Sequence, residues 1–281
     1  MQRRTSLFVL TPETPSTAIS TAAESARAGQ AHLACLLLDT LPGMPSFVYG
    51  GAAVGGVVLP DNWPDLLQEA RGAAAERAAE IEALLTQAGC AGDVQYAVAS
   101  GADIRLFAAQ RAASCDVAQA APGLRADADL FREASHGILF NSPVPLMVNG
   151  DPLTPYERIF LAWNSSLAAA RAAHAALPYF LQAHEVVIGC FDPEMSTDRD
   201  GEDPGTDIAG WLSHHGCNVT LSQFPSGGHE IGRCITERAA ECGAEMVVMG
   251  AYGHSRLRQA MFGGTTRTMM EQHEIPVLFA H

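Results

Sequence analysis

The sequence predicts an α/β protein of two tandem domains, each a five-stranded parallel open sheet with helices on both faces. Three observations carry this expectation. Short apolar runs alternate with helical segments along most of the 281 residues, the pattern of βαβ units whose strands are covered on both sides. The length suits two domains of ordinary size. The halves also hold short copies of one another. QRAASCD at Gln110–Asp116 recurs as ERAAECG at Glu237–Gly243, and PVPLMV near 145 is matched by IPVLFA near 276. The junction is expected near Asn149–Tyr156 (NGDPLTPY), giving domains 1–150 and 151–281.

In the first half Leu7–Leu10 reads as a strand, Thr17–Ala28 as a helix, and Leu33–Asp39 (LACLLLD) as a strand. A Gly/Pro-rich stretch from Leu41 to Pro60 interrupts the rhythm. Pro64–Ala88 then reads as a long amphipathic helix, with Leu67, Ala70, Ala74, Ala78, Ile81 and Leu85 on one stripe. Asp93–Ala99 (strand), Ile104–Ala113 (helix), Asp116–Ala120 (strand), Leu130–Leu139 (helix) and Pro145–Val148 (strand) complete the half. In the second half Arg158–Asn164, Glu185–Phe191, Asn218–Phe224, Glu245–Met249 and Pro276–Ala280 read as strands. Between them, helices are expected over Leu167–Ala176 (stopping before Pro178), Thr206–His215, Glu230–Cys242 and Ser255–Gln272.

Composition excludes several function classes. A net charge of -14 makes nucleic acid and anionic membrane surfaces poor partners. No apolar run approaches the ~18 residues of a spanning helix, and the apolar part of MQRRTSLFVL is too short for a secretory signal, so a cytoplasmic location is expected. The seven cysteines are scattered without a C-x-x-C pair and read as small buried hydrophobes. All 17 basic residues are arginine. A phosphate loop that needs its lysine, and any lysine Schiff base, are therefore ruled out.

One segment reads as a site. The apolar run Met246–Met249 ends at Gly250, Gly253 follows, and Gly263 and Gly264 precede Thr265 and Thr266, a G-x2-G-x9-G spacing. Strand, glycine loop and a helix start rich in small and hydroxyl residues is how an α/β protein turns backbone N–H groups toward a phosphate.

This spacing, set between a VVMG strand and a PVL strand, resembles the ATP-binding class of universal stress proteins. Element order across the second half agrees, and the first half is similar to a degenerate copy. The resemblance implies a Rossmann-like, universal-stress-type fold in both domains, with residues 1–150 structural and 151–281 carrying the nucleotide loop. It also implies an adenine nucleotide, ATP with Mg or Mn, held at the carboxyl ends of the strands. By it, Gly250 and Gly253 form the first turn against the nucleotide, and Gly263 starts the second. Gly264 stands where the family has a hydroxyl residue, with Thr265 and Thr266 just beyond. His254 and Arg256 lie in the loop, Arg258 and Arg267 in or beside it, and these arginines offer charge in place of lysine. Asn164 and Ser165 stand where the family has an aspartate-bearing turn, a departure, and Cys190 lies at the other expected wall. Family dimers form through the last strand. The resemblance thus implies an intramolecular pseudo-dimer of the two halves, with a homodimer as a further partner.

In the first half the corresponding segment has Gly123 but no partner glycine, and Asp127 and Asp129 would repel phosphate. No nucleotide is expected there. His214 and His215 are adjacent and point apart on a helix, which disfavours a metal site. Ser165 and Ser166 lack a nucleophile-elbow context. With no general base and no lysine clamp, the reading is a binding protein with at most weak ATPase activity. The alternatives are a nucleotide-free interaction module with a vestigial pocket, and an enzyme acting on another phosphorylated or adenylated small molecule.

Overall fold

The computed structural model describes residues 4–42, 61–196, 202–251 and 264–281. The first half runs β1 (Thr5–Leu10), α1 (Ser16–Ala28), β2 (His32–Thr40), α2 (Trp63–Ala88), β3 (Gly92–Ala99), α3 (Gly101–Ala112), β4 (Val117–Ala120), α4 (Ala128–Asn141) and β5 (Leu146–Val148). The second runs β6 (Arg158–Trp163), α5 (Leu167–Phe180), β7 (Glu185–Phe191), α6 (Thr206–His214), β8 (Val219–Phe224), α7 (Ile231–Glu241), β9 (Met246–Gly250), α8 (Gly264–Glu271) and β10 (Val277–Ala280). A short 3-10 turn at Leu124–Ala126 precedes α4.

The strands join one sheet in the order β3-β2-β1-β4-β5-β10-β9-β6-β7-β8. Each half supplies five parallel strands, and the halves meet where β5 and β10 pair antiparallel, Val148 against Val277, Met147 against Leu278 and Leu146 against Phe279. Directly opposed residues share a face. Leu146, Val148, Val277 and Phe279 accordingly enter the core beneath α3, α4, α7 and α8, which is continuous across both halves. Met147 and Leu278 enter the core on the opposite face, beneath α5 and α6. The remaining face of the first half is closed by α1 and α2 through Ile19, Ala23, Ala78, Ile81 and Leu85. On α2, Ala74, Ala78, Ile81 and Leu85 are buried, whereas Leu67 and Ala70 at the start of the expected stripe are only half-buried.

The expectation that α5 stops before Pro178 is corrected. The helix runs to Phe180, with Pro178 inside it. Proline in the last turn forfeits one backbone hydrogen bond. That loss is offset by burial of Tyr179 and Phe180 and by the Tyr179 hydroxyl, which donates to the Pro152 carbonyl at 3.0 Å. Of the helix expected over Ser255–Gln272, α8 covers the C-terminal part; residues 252–263 lie outside the described residues.

Polar contacts lock the seam beside β5 and β10. Asn149 adopts a left-handed backbone conformation with φ 58. Its amide Nδ2 donates to the carbonyls of Gln272 at 2.8 Å and Ile275 at 3.3 Å, and its Oδ1 accepts from Arg125. Arg125 also donates to the Gln272 carbonyl at 2.6 Å. On the other side Gln119 Nε2 donates to the Gly150 carbonyl at 2.9 Å. Asn149→Ala removes one donor from each of the two carbonyls, which keep Arg125 and the Gln272 side-chain amide as partners, takes an acceptor from Arg125, and places a residue without a compensating side chain in the left-handed region. The expected cost is about 2–3 kcal/mol in urea denaturation. Asn149→Gly, which removes the backbone strain but not the lost bonds, should fall between Ala and wild type.

Candidate functional site

The carboxyl ends of β6, β7 and β9 open on the same edge of the sheet, and α8 begins beside them. At the end of β6, Asn164, Ser165 and Ser166 form a tight turn with Ser165 at φ 55. Asn164 Oδ1 accepts from the Ser166 hydroxyl at 2.7 Å, and Ser166 Oγ accepts from the Ala169 N–H at 3.1 Å, capping α5. This is the N-cap arrangement that serine favours. It commits one oxygen of Asn164 to the turn and leaves Asn164 and Ser165 exposed.

Gly250 ends β9 directly under the first turn of α5. A Cβ there would stand 2.5 Å from Ala169 N and 2.6 Å from Ala168 C, so only glycine admits this approach of helix to strand. Beyond it Ala251 N donates to the Ala280 carbonyl at 2.8 Å, while His281 Nδ1 lies 2.9 Å from the Ala251 carbonyl. The exit of β9 is thus held against the end of β10. Gly264 contrasts with Gly250: it is exposed, and no described residue stands within 4 Å of where its Cβ would be. Thr265 is half-buried and Thr266 buried. Arg267 pairs with Glu271 one turn on, at 2.8 Å.

Cys190 is 2% exposed and packs in the core with Ile208 and Leu212, so its backbone rather than its thiol lies toward the strand ends. The neighbouring wall is fixed by Asp192, whose Oδ1 accepts from the Ser226 N–H at 2.9 Å. Hydrogen bonds from Ser226 hold the Asp192 carboxyl below the ordinary range. Of the expected site residues, Asn164, Ser165, Cys190, Gly250, Gly264, Thr265 and Thr266 are thereby located. Gly253, His254, Arg256 and Gly263 lie outside the described residues. The Ser166 cap was not among the expected site residues, although a serine just before an alanine-rich helical run is a readable signal. Among the described residues, no three His, Cys, Asp or Glu side chains are grouped to hold a metal ion, and no helix is long and apolar enough to cross a membrane.

In the first half the equivalent place is occupied differently. Asp127 Oδ1 accepts from the N–H groups of Asp129 at 3.1 Å and Leu130 at 2.9 Å, capping α4 with a carboxylate. The amides that a phosphate would use are already bonded to an anion.

Residues 226–281 match the model of the universal stress protein family. This region starts at Ser226 and contains α7, β9, the glycine spacing, α8 and β10. Comparison with curated proteins finds no match. Among solved structures, a universal stress protein from Archaeoglobus fulgidus is similar at 14% identity and a TM-score of 0.62, over 100% of this chain and 99% of its own. A Pseudomonas aeruginosa protein of unknown function is similar at 16% identity and a TM-score of 0.52, over 99% of this chain and 92% of its own. At these identities the likeness is one of fold: a mostly parallel α/β sheet spanning the whole chain.

Two outcomes are expected, one at the glycines and one at the buried thiols. Gly250→Ala forces α5 from β9 and should cost about 1–3 kcal/mol, while Gly264→Ala, with open space at its Cβ, should leave the melting temperature unchanged or raised. Burial pushes the Cys35 thiol up to about 12, and Cys35 is fully buried. Thiol-specific labelling of the native protein at pH 8 should therefore miss Cys35 and Cys190 and reach both on denaturation.

Proposed function

We propose that the chain is a tandem universal stress-type protein, with domains 1–150 and 151–281, whose second domain binds an adenine nucleotide. The observation that carries this reading is where the family match falls: it covers the glycine spacing and the strand and helix on either side of it. Three features of the structure support it. The strand ends β6, β7 and β9 lie on one edge, Gly250 brings backbone close to α5, and no described residue stands within 4 Å of where a Gly264 Cβ would be. The cradle is made of backbone donors, with ATP as the ligand and its Mg or Mn ion carried on the phosphates. The bound nucleotide acts as a signal or stabiliser with at most slow hydrolysis. The seam between β5 and β10 would make the two domains an intramolecular pseudo-dimer, in a protein we place in the cytoplasm.

A second reading, a nucleotide-free interaction module, draws on one observation. Asn164, at the position where an acceptor for the nucleotide would stand, already spends Oδ1 on Ser166.

The experiment is direct. The purified protein is denatured, released nucleotide is identified by mass spectrometry, and ATP and AMP are titrated calorimetrically against wild type, Gly253→Asp and Gly264→Ser. Wild type should release or bind nucleotide, Gly253→Asp should bind at least tenfold more weakly, and Gly264→Ser should gain one hydroxyl hydrogen bond. That bond is worth about 0.5–1.5 kcal/mol, a roughly two- to tenfold tightening. Wild type with no released nucleotide and no titratable binding ends the first reading in favour of the second.

A further inference from the structure

The exit of β9 is built unlike its counterpart in the first half. Ala118 N donates to the Pro145 carbonyl and Val247 N to the Pro276 carbonyl, the same ladder contact in each half. Counted on from these contacts, Ala251 corresponds to Pro122, Ala280 to Asn149 and His281 to Gly150. Ala251 N donates to the Ala280 carbonyl at 2.8 Å, and the Ala251 carbonyl accepts from His281 Nδ1 at 2.9 Å. Neither bond has a first-half equivalent. Pro122 has no N–H to donate, and a Cβ at Gly150 would stand 2.7 Å from both the Pro276 Cβ and the Tyr156 hydroxyl, which leaves no room for a side chain.

His281 is itself placed by the first half. Its ring lies against Phe140, with centroids 4.3 Å apart, and Phe140 lies against His136 at 4.5 Å. His136 and Phe140 stand one turn apart on α4. Phe140 also packs against the core that runs through both halves. The helix that carries these rings is seated closely on α3. A Cβ at Gly137 would stand 2.2 Å from the Arg105 carbonyl oxygen, and Arg105 Nε donates to Glu133 at 2.8 Å.

A backbone carbonyl only accepts, so in the His281–Ala251 pair Nδ1 carries the proton. Ala251 is fully buried, where a carbonyl without a partner is costly. With its N–H bonded to Ala280 and its carbonyl to His281, Ala251 is held at both of its polar groups. In sequence it lies between Gly250 and Gly253, inside the glycine spacing. A site made of backbone donors gains affinity from having its backbone positioned before the ligand arrives.

We infer, resting on the adenine-nucleotide reading, that His281 is a positioning residue for the nucleotide site. Its Nδ1–H sets Ala251 at the root of the glycine spacing, and Phe140 of the first half sets the imidazole. Through this column of rings the first half contributes to nucleotide affinity in the second. The half that carries the glycine spacing is also the one whose sequence permits both bonds at the strand exit.

Calorimetric titration of ATP tests it with wild type, His281→Phe, His281→Asn, Phe140→Ala and Ile81→Val. His281→Phe keeps a ring against Phe140 but has no donor, and should weaken ATP about two- to tenfold, the worth of one hydrogen bond. Asparagine places an Nδ2–H close to where the Nδ1–H stood, so His281→Asn should bind within about twofold of wild type. Phe140→Ala removes the ring contact and should weaken ATP about twofold or more. Ile81→Val, in the core beneath α1 and α2, should lower the melting temperature and leave ATP affinity unchanged. Without nucleotide, NMR should show the Ala251 amide exchanging faster in His281→Phe than in wild type or His281→Asn. ATP binding or amide exchange that His281→Phe leaves unchanged overturns the inference alone. So does an affinity that His281→Asn or Ile81→Val lowers as much as His281→Phe, or that Phe140→Ala does not lower. A wild type that binds no nucleotide ends the adenine-nucleotide reading and the inference with it.

Discussion

Three antiparallel residue pairs between β5 and β10 decide the shape of the whole molecule. Every other strand joint is parallel and lies within one half. Because opposed residues in an antiparallel pair share a face, this joint aligns the two inner faces without shifting the alternation of either half. The core beneath α3, α4, α7 and α8 therefore passes from Leu7 and Leu36 in one half to Phe160 and Val247 in the other without a break. So short a ladder gains little from its own hydrogen bonds. Its specificity comes from Asn149, Arg125 and Gln272, whose mutual bonds are satisfied only in this register.

The element order was legible because strands buried on both faces read as unbroken apolar runs. LACLLLD and EVVIGCF are buried along nearly their whole length, and β7 matches its expected span residue for residue. The seam partners were less legible. Arg125 and Asn149 meet Gln272 across more than a hundred residues of sequence, and no local pattern encodes such a contact. Pro178 misled for a related reason: its local penalty is a property of the backbone, whereas the burial of Tyr179 and Phe180 that overrides it depends on where α5 docks. At the site, glycine spacing was visible but not the work of each glycine. Gly250 is demanded by the Ala168–Ala169 backbone, while a Cβ at Gly264 would meet none of the described residues.

The two halves show how one topology is specialised by few side chains. In the first, Asp127 satisfies the start of α4 from within the chain, which stabilises that helix and forecloses an external anion. In the second, the start of α8 carries no such carboxylate in the sequence Gly263-Gly264-Thr265-Thr266. The aromatic filling runs the opposite way. Phe160, Phe191 and Phe224 occupy the second half, made possible by Gly189, where a Cβ would stand 2.2 Å from the Phe160 ring. Leu7, Leu38 and Ala97 stand at the matching first-half register positions.

The helix α8 ties these features to the seam. Gln272, just beyond its C-terminal end, offers its carbonyl to both Asn149 and Arg125, and its side-chain oxygen accepts from the N–H groups of Glu274 and Ile275 at 2.6 and 3.0 Å. Thr268 packs where Gly232 lets α7 approach, and Thr236 Oγ1 lies 3.4 Å from the Met269 sulfur. The far end of α8 is therefore held by the first half and its flank by α7. The same anchoring couples the seam to α8: loosening Asn149 or Arg125 would release the helix from its C-terminal end.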